Sequence, residues 1–269
     1  MKPKFKTVGR RLGYAVLAAG LLVHGSSVAI AQDKAGPQDA PDQVIKDERA
    51  LNLLKSMSDT LAKAQTLGFK LRGLVPIEAP TGQFINLLAS SRVVIQRPDK
   101  LFVEARGDLF PSDIYFNGKT VTAVGREKHF YAQREAAAST IDAAIEKRFP
   151  ASTALASFAD LIVSDPYASL TKDLTNALLV GQSTIGGVLT DHLAFTAKGI
   201  DWEIWIGACD KLPRLMVVSY RDSERQPTFT VELSDWMLDA PVPAQTFNAD
   251  IPKDAVRIEF KPHGLPQTK

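Results

Sequence analysis

Two periodicities divide the chain. Between Gln43 and Gln65, Ala50, Leu54, Met57, Leu61 and Ala64 recur three or four residues apart, with charged residues on the other side. That spacing predicts an amphipathic helix, with Gly68 as its expected stop. From Thr66 onward the period falls to two. The runs "TLGFKLRGLVPIEA", "GQFINLLASSRVVIQRP", "KLFVEARGD", "DIYFNG", "KTVTAVG" and "KHFYAQRE" read as strands between Gly, Pro and Asn punctuation. Asn117-Gly118 predicts a type I′ hairpin, whose two central residues both need positive φ. Pro98-Asp99 predicts a turn started by proline's fixed φ.

The middle of the chain interrupts the strands. Ile141, Ile145 and Phe149 share one helical face; Leu155, Phe158, Ala159 and Ile162 share another. Pro150 separates them, since proline inside a helix costs about 3 kcal/mol. Strands resume with "NALLVGQSTI", "VLTDHLAFTAK", "DWEIWIGAC", "RLMVVSYRD" and "PTFTVELSDWML". The plan is a mainly β (α+β) antiparallel meander of about ten strands. Such a sheet must curl, close or be covered, and the helices are expected to fill its concave side.

The strand faces are unequal. In "DWEIWIGAC", Trp202, Ile204, Ile206 and Ala208 share one face, while Glu203, Trp205, Gly207 and Cys209 share the other. Leu101, Val103 and Ala105 likewise oppose Phe102, Glu104 and Arg106. Two interiors fit such a face: a core packed by the helices, or a partly open apolar cavity with room for one lipid or acyl chain. The candidate cavity residues are Leu101, Val103, Phe116, Phe130, Phe158, Ile162, Trp202, Ile204 and Ile206.

Polar chemistry adds little. "GQSTIGGVLTDH" (181–192) resembles a stretched G-x-S-x-G elbow around Ser183. An elbow needs a strand, a turn and a helix, whereas a β-type run follows here, so Gly186-Gly187 is expected to be a hairpin turn. Asp191 and His192 are adjacent on that strand and face opposite sides. His129, His192 and His263 lie in distant segments without metal-ligand spacing, so no metal is expected. Asp201 and Glu203 read as surface carboxylates. Cys209, the single cysteine, excludes an internal disulfide and is expected to be buried and inert. No phosphate-binding glycine loop occurs. No cofactor and no enzymatic activity are expected.

The ends modify the charge. "MKPKFKTVGRRLGYAVLAAGLLVHGSSVAIAQ" has a basic start, a short apolar run and Ala29-Ile30-Ala31, the pattern of a signal peptide cleaved after Ala31. Residues 1–31 carry five of the 32 Lys+Arg and none of the 30 Asp+Glu, so the mature chain holds 27 basic against 30 acidic residues. A basic footprint for nucleic acid is absent. The expected organisation is signal 1–31, polar leader 32–42, one domain 43–262 and a tail 263–269, in the periplasm.

The order of motifs carries a resemblance. Arg97-Pro98 leads a strand, Asn117-Gly118-Lys119-Thr120 sits at a hairpin and Leu212-Pro213-Arg214 follows a Trp-Ile strand. Phe247 and Pro252 mark the tail. Over roughly residues 45–260 this resembles the periplasmic lipoprotein carriers LolA and LolB. It resembles more closely the domain of unknown function 2092, a family of predicted periplasmic proteins. The resemblance implies an unclosed half-barrel with helices plugging its concave face, and the binding of lipids or lipoprotein acyl chains. Asn248, Asp250 and Asp254 depart from the carriers' tail, and no lipobox cysteine marks a membrane-anchored acceptor. The expected partner is a lipid or acylated protein, with transient inner- or outer-membrane contact. The alternatives are an envelope scaffold with a filled core that docks a protein through a sheet edge, and a serine hydrolase using Ser183.

Overall fold

The computed structural model describes residues 44–108, 111–127, 129–147, 158–223 and 225–259, within one compact unit, Gln43–Lys269. The expected signal, leader and tail lie outside the described residues, as do Phe149, Pro150, Leu155 and His263.

Helix α1 (Glu48–Lys63) begins where the Asp47 carboxylate accepts the Arg49 N–H, satisfying a donor that the helix itself cannot. Its predicted face is fully buried: Ala50, Leu54, Met57 and Leu61 have no exposed surface and Ala64 only 2%. Gly68 is not its stop. The Asp239 carboxylate accepts from Gln65 N–H at 2.7 Å, and the chain passes directly into β1 (Thr66–Glu78), which contains Gly68. The contact that holds the junction of helix and strand comes from a residue remote in sequence.

Strands β2 (Phe84–Gln96), β3 (Lys100–Gly107), β4 (Ser112–Phe116), β5 (Thr120–Gly125) and β6 (Phe130–Glu135) follow as a meander. Three short helices come next: α2 (Ile141–Glu146), α3 (Ala159–Ile162) and α4 (Pro166–Leu170). A second meander comprises β7 (Leu174–Ile185), β8 (Val188–Ala197), β9 (Ile200–Gly207), β10 (Pro213–Tyr220) and β11 (Thr228–Leu238). A 3-10 turn (Ala244–Phe247) and β12 (Val256–Arg257) complete the described chain.

All twelve strands, against about ten expected, join one sheet in the order β12-β6-β5-β4-β3-β2-β1-β11-β10-β9-β8-β7. Pairing is antiparallel throughout except for β12 on β6. The two meanders meet where β1 pairs with β11, for example Leu71 with Leu233, so β6 and β7 lie far apart. The chain between them passes over the inner face, where α2, α3 and α4, the described helices of this connection, join the core. This topology puts helices inside.

One buried apolar cluster joins α1, α2, α3 and α4 to both meanders, from Val121 of β5 to Leu193 of β8. These strands are eight positions apart in the sheet order, about 38 Å across a flat sheet at ~4.8 Å per strand. A single core spanning them requires the sheet to curl around its helices. The sheet does not close, since β7 and β12 do not pair. The unclosed half-barrel expected from the sequence is the observed fold.

The opposite face carries a second cluster of Val94, Phe102, Tyr115, Val124 and Phe247, against which Val242 and Ile251 pack. The segment after β11 thus returns across the outside of the first meander. Asp113, with 6% of its side chain exposed, accepts from Arg106 at 2.9 Å and Arg126 at 2.7 Å. Arg126 also reaches Asp250 at 3.3 Å. These ion pairs tie the returning segment to β4.

Candidate ligand site on the inner face

Eight of the nine candidate residues meet in the inner cluster. Leu101, Val103, Phe116, Trp202, Ile204 and Ile206 point inward from both meanders, and Phe158 and Ile162 come down from the crossing helices. Phe130 does not join them. It lies half-buried at the start of β6, next to the sheet's edge, with its ring folded over Gly125. A Cβ on Gly125 would come 2.6 Å from Phe130 Cζ, so the missing side chain makes the space the ring takes.

The described inner face is filled. Phe158 meets Phe69 edge-on at 5.7 Å, and Phe69 stacks on Trp236 at 4.5 Å. Phe195 stacks on Trp202 at 4.2 Å. The small spaces beside this face measure about 20 Å³ each, enough for a single water and no more. Neither space admits an acyl chain unless an element covering it moves.

The helices that could move are short. α3 has four residues and α4 five, well below the roughly 12–15 an isolated helix needs for marginal stability. Phe158, Leu161, Ile162 and Leu170 hold them to the cluster. The expected helix over 153–164 is described only as α3, with Phe158 as its N-cap, and Leu161 is buried where Ala159 was expected. The sequence reading missed α4, although Asp165 capping Ala168 N–H ahead of Pro166 is a recognisable start signal.

Polar ties complete the cover. Asp142 of α2 accepts from Ser164 N–H at 3.1 Å and from the Ser164 hydroxyl. Arg97, in the β2–β3 turn, donates to Ala64 O at 3.2 Å and Ile162 O at 2.9 Å. It thus bridges the C-terminal ends of α1 and α3, where a cation is favourable. Its Nη2 is buried and finds no partner among the described residues. Burial holds the guanidinium below its ordinary pKa, with the Asp142 charge opposing. The sequence marked Arg97 only as the start of a motif; its reach to two remote carbonyls has no local signature.

The other candidate chemistry resolves into structure. Ser183 lies inside β7 opposite Thr190, and Gly186 and Gly187, with φ of 55° and 81°, make the two-residue turn into β8. Asp191 accepts from Gln182 on the inner face at 2.9 Å. His192 lies on the outer face, 2.7 Å from Glu203 and stacked on Trp205. The Asn117-Gly118 hairpin forms with a different turn. Gly118 has a φ of 80°, Asn117 stays at negative φ, and the Asn117 side chain instead accepts from Lys119 and Thr120 N–H. Cys209 is exposed rather than buried, because β9 ends at Gly207 and the cysteine falls in the following turn.

Fold and face together define the class: an unclosed antiparallel half-barrel whose apolar inside is occupied by its own helices. Residues 50–261 match the model of the family described as "Predicted periplasmic protein (DUF2092)", and the chain belongs to that family. No curated protein matches it in sequence. Solved structures with a similar fold include an uncharacterized conserved protein of Thermus thermophilus (11% identity, 79% of this chain and 98% of that one, TM-score 0.43). Lipoprotein LppX of Mycobacterium tuberculosis aligns at 12% identity over 74% and 99%, TM-score 0.42. A LolA superfamily protein of Nitrosomonas europaea aligns at 11% over 73% and 98%, TM-score 0.33. No helix among the described residues is long and apolar enough to cross a membrane.

Proposed function

We propose that the protein is a non-enzymatic periplasmic binding protein for a lipid, acyl chain or acylated protein, acting as a carrier or chaperone in the cell envelope. One observation carries the reading: beside α1, the described cover of the apolar inner face consists of helices of only four to six residues, too short to be stable on their own. Lifting α3 and α4 would withdraw Phe158, Leu161, Ile162 and Leu170 from the cluster and bare Phe69, and a bound acyl chain would cover the apolar surface that the helices leave. Each buried methylene contributes about 0.8 kcal/mol, so a long chain can offset undocking of four apolar side chains. In this cycle α2, α3 and α4 act as a lid that opens to load and closes over the cargo. Export through the signal peptide, with cleavage after Ala31, would bring the mature chain to the compartment where such cargo travels.

The test is native mass spectrometry of protein purified from periplasm without detergent, with solvent extraction of bound material. A stoichiometric lipid or acylated peptide is the expected result. A ligand-free mass that persists after incubation with envelope lipids would refute lipid binding and leave the filled-core scaffold.

A further inference from the structure

A mouth to the inner face lies where β5, β6 and α2 meet. There an open cleft of about 720 Å³ is lined by Lys119, Thr120, Glu135, Ser139 and Lys147, among others. A second space, about 20 Å³, shares Ala136, Ala137, Ala138 and Lys147 with that cleft and reaches Phe116 and Val121 of the inner cluster. Among the described residues, a three-alanine linker and one lysine side chain lie between the cleft and the core. Two hydrogen bonds fasten the linker: Ala136 N–H to Lys119 O at 2.8 Å and Lys147 Nζ to Ala137 O at 2.7 Å.

The charges at this mouth have a sign. Lys119 and Lys147 face one carboxylate, Glu135, among the cleft's lining residues, and Arg134 lines the inner space. Asp99, beside Gly118, is engaged by Lys100. A chain threading from water to an apolar core leaves its head group at the entrance, so the entrance selects that group by charge.

We propose that this cleft is the loading port for an anionic single-chain amphiphile, an acyl chain ending in a carboxylate or a phosphate. Lys119 and Lys147 hold the head, and the tail passes the alanine linker toward Phe116 and Val121. This rests on the lipid-binding reading above and adds to it the port and the charge of the head group.

The experiment compares three probes with one tail, palmitate, palmitoyl lysophosphatidate and palmitoylglycerol, binding to the purified full chain at low and high salt. At low salt one or both anions bind about tenfold more tightly than palmitoylglycerol, and salt narrows the difference. A preference between palmitate and lysophosphatidate tells a carboxylate source from a phosphate source. Lys119→Gln lowers anion affinity by about threefold and leaves palmitoylglycerol binding unchanged, and Lys119→Gln with Lys147→Gln lowers anion affinity by about tenfold. Glu135→Gln shifts anion affinity upward. Because Lys147 also fastens the linker, Lys119→Gln and Glu135→Gln decide the matter if the double variant does not fold. Equal affinity for palmitate, lysophosphatidate and palmitoylglycerol, or equal losses for all three in the variants, would overturn the port while leaving lipid binding intact. Binding of none of the three would overturn both.

Discussion

Replacing Arg97 with methionine tests whether the short helices are a lid or part of an indivisible core. The substitution keeps an unbranched apolar stem and removes the guanidinium that donates to Ala64 O and Ile162 O. A hydrogen bond from a charged donor contributes about 1.5–3 kcal/mol. Against this, Arg97 Nη2 is buried without a described partner, and removing an unsatisfied donor returns about 1 kcal/mol or more. The bond to Ala64 at 3.2 Å is the longer of the two and adds less. The net loss in holding α3 is then about 1–2 kcal/mol, or about 5- to 30-fold in the opening equilibrium.

Hydrogen exchange reads that number directly, because local opening exposes amides without global unfolding. Leu161 N–H bonds to Phe158 O and Ser169 N–H to Asp165 O, so both report on the crossing helices. In Arg97→Met they are expected to exchange about 5- to 30-fold faster, while amides of Leu193 and Ile204 keep their rates. Arg97→Lys, which keeps the charge but loses the fork, should fall between. Acceleration of Leu193 and Ile204 by the same factor would refute a separable lid. No acceleration anywhere would show that Phe158, Leu161, Ile162 and Leu170 hold the cover without Arg97.

Two further substitutions probe the outer face. Phe247→Ala, at a side chain 1% exposed in the outer cluster, should cost about 3–5 kcal/mol in urea denaturation. It should leave acyl-chain binding intact, since the inner cluster lies across the sheet; a weakened ligand affinity in folded protein would show that the faces are coupled. Tyr115→Phe addresses alkaline stability. Burial first, and then the Asp113 charge, push the Tyr115 hydroxyl above its ordinary pKa, with Arg126 opposing. An acid whose pKa is raised by folding lends stability below its unfolded pKa of about 10 and loses it as pH rises past that value. The wild-type protein should therefore lose stability above about pH 10 more steeply than Tyr115→Phe, measured by urea midpoints across that range. Parallel decline would remove Tyr115 as the cause.

What the sequence made legible is what local period encodes. Side chains alternate on a strand and recur at 3.6 on a helix, so the faces of Trp202, Ile204 and Ile206, of Leu101 and Val103, and of Ala50 through Leu61 could be assigned residue by residue. What it hid depends on partners far along the chain. Asp239 holds Gln65, just past α1, from 174 residues away, and Arg97 finds Ile162 across 65. Phe102 and Tyr115 sit on faces that look mixed because Phe247 covers only part of the outside. Phe130 shares the inward parity of its strand but lies next to the edge, and parity says nothing about distance from the centre. The pairing of β1 with β11 is also non-local, and it decides the site. With that seam in place, β6 and β7 are remote, and the described helices of the connection between them pack on the inner face. A short extended connection would expose its backbone polar groups to an apolar wall; helices satisfy those groups internally. The same requirement fits the helical form of the described parts of the crossing, α2, α3 and α4. Plug and lid are two descriptions of one set of helices, and the exchange rates of Leu161 and Ser169 tell which description governs function.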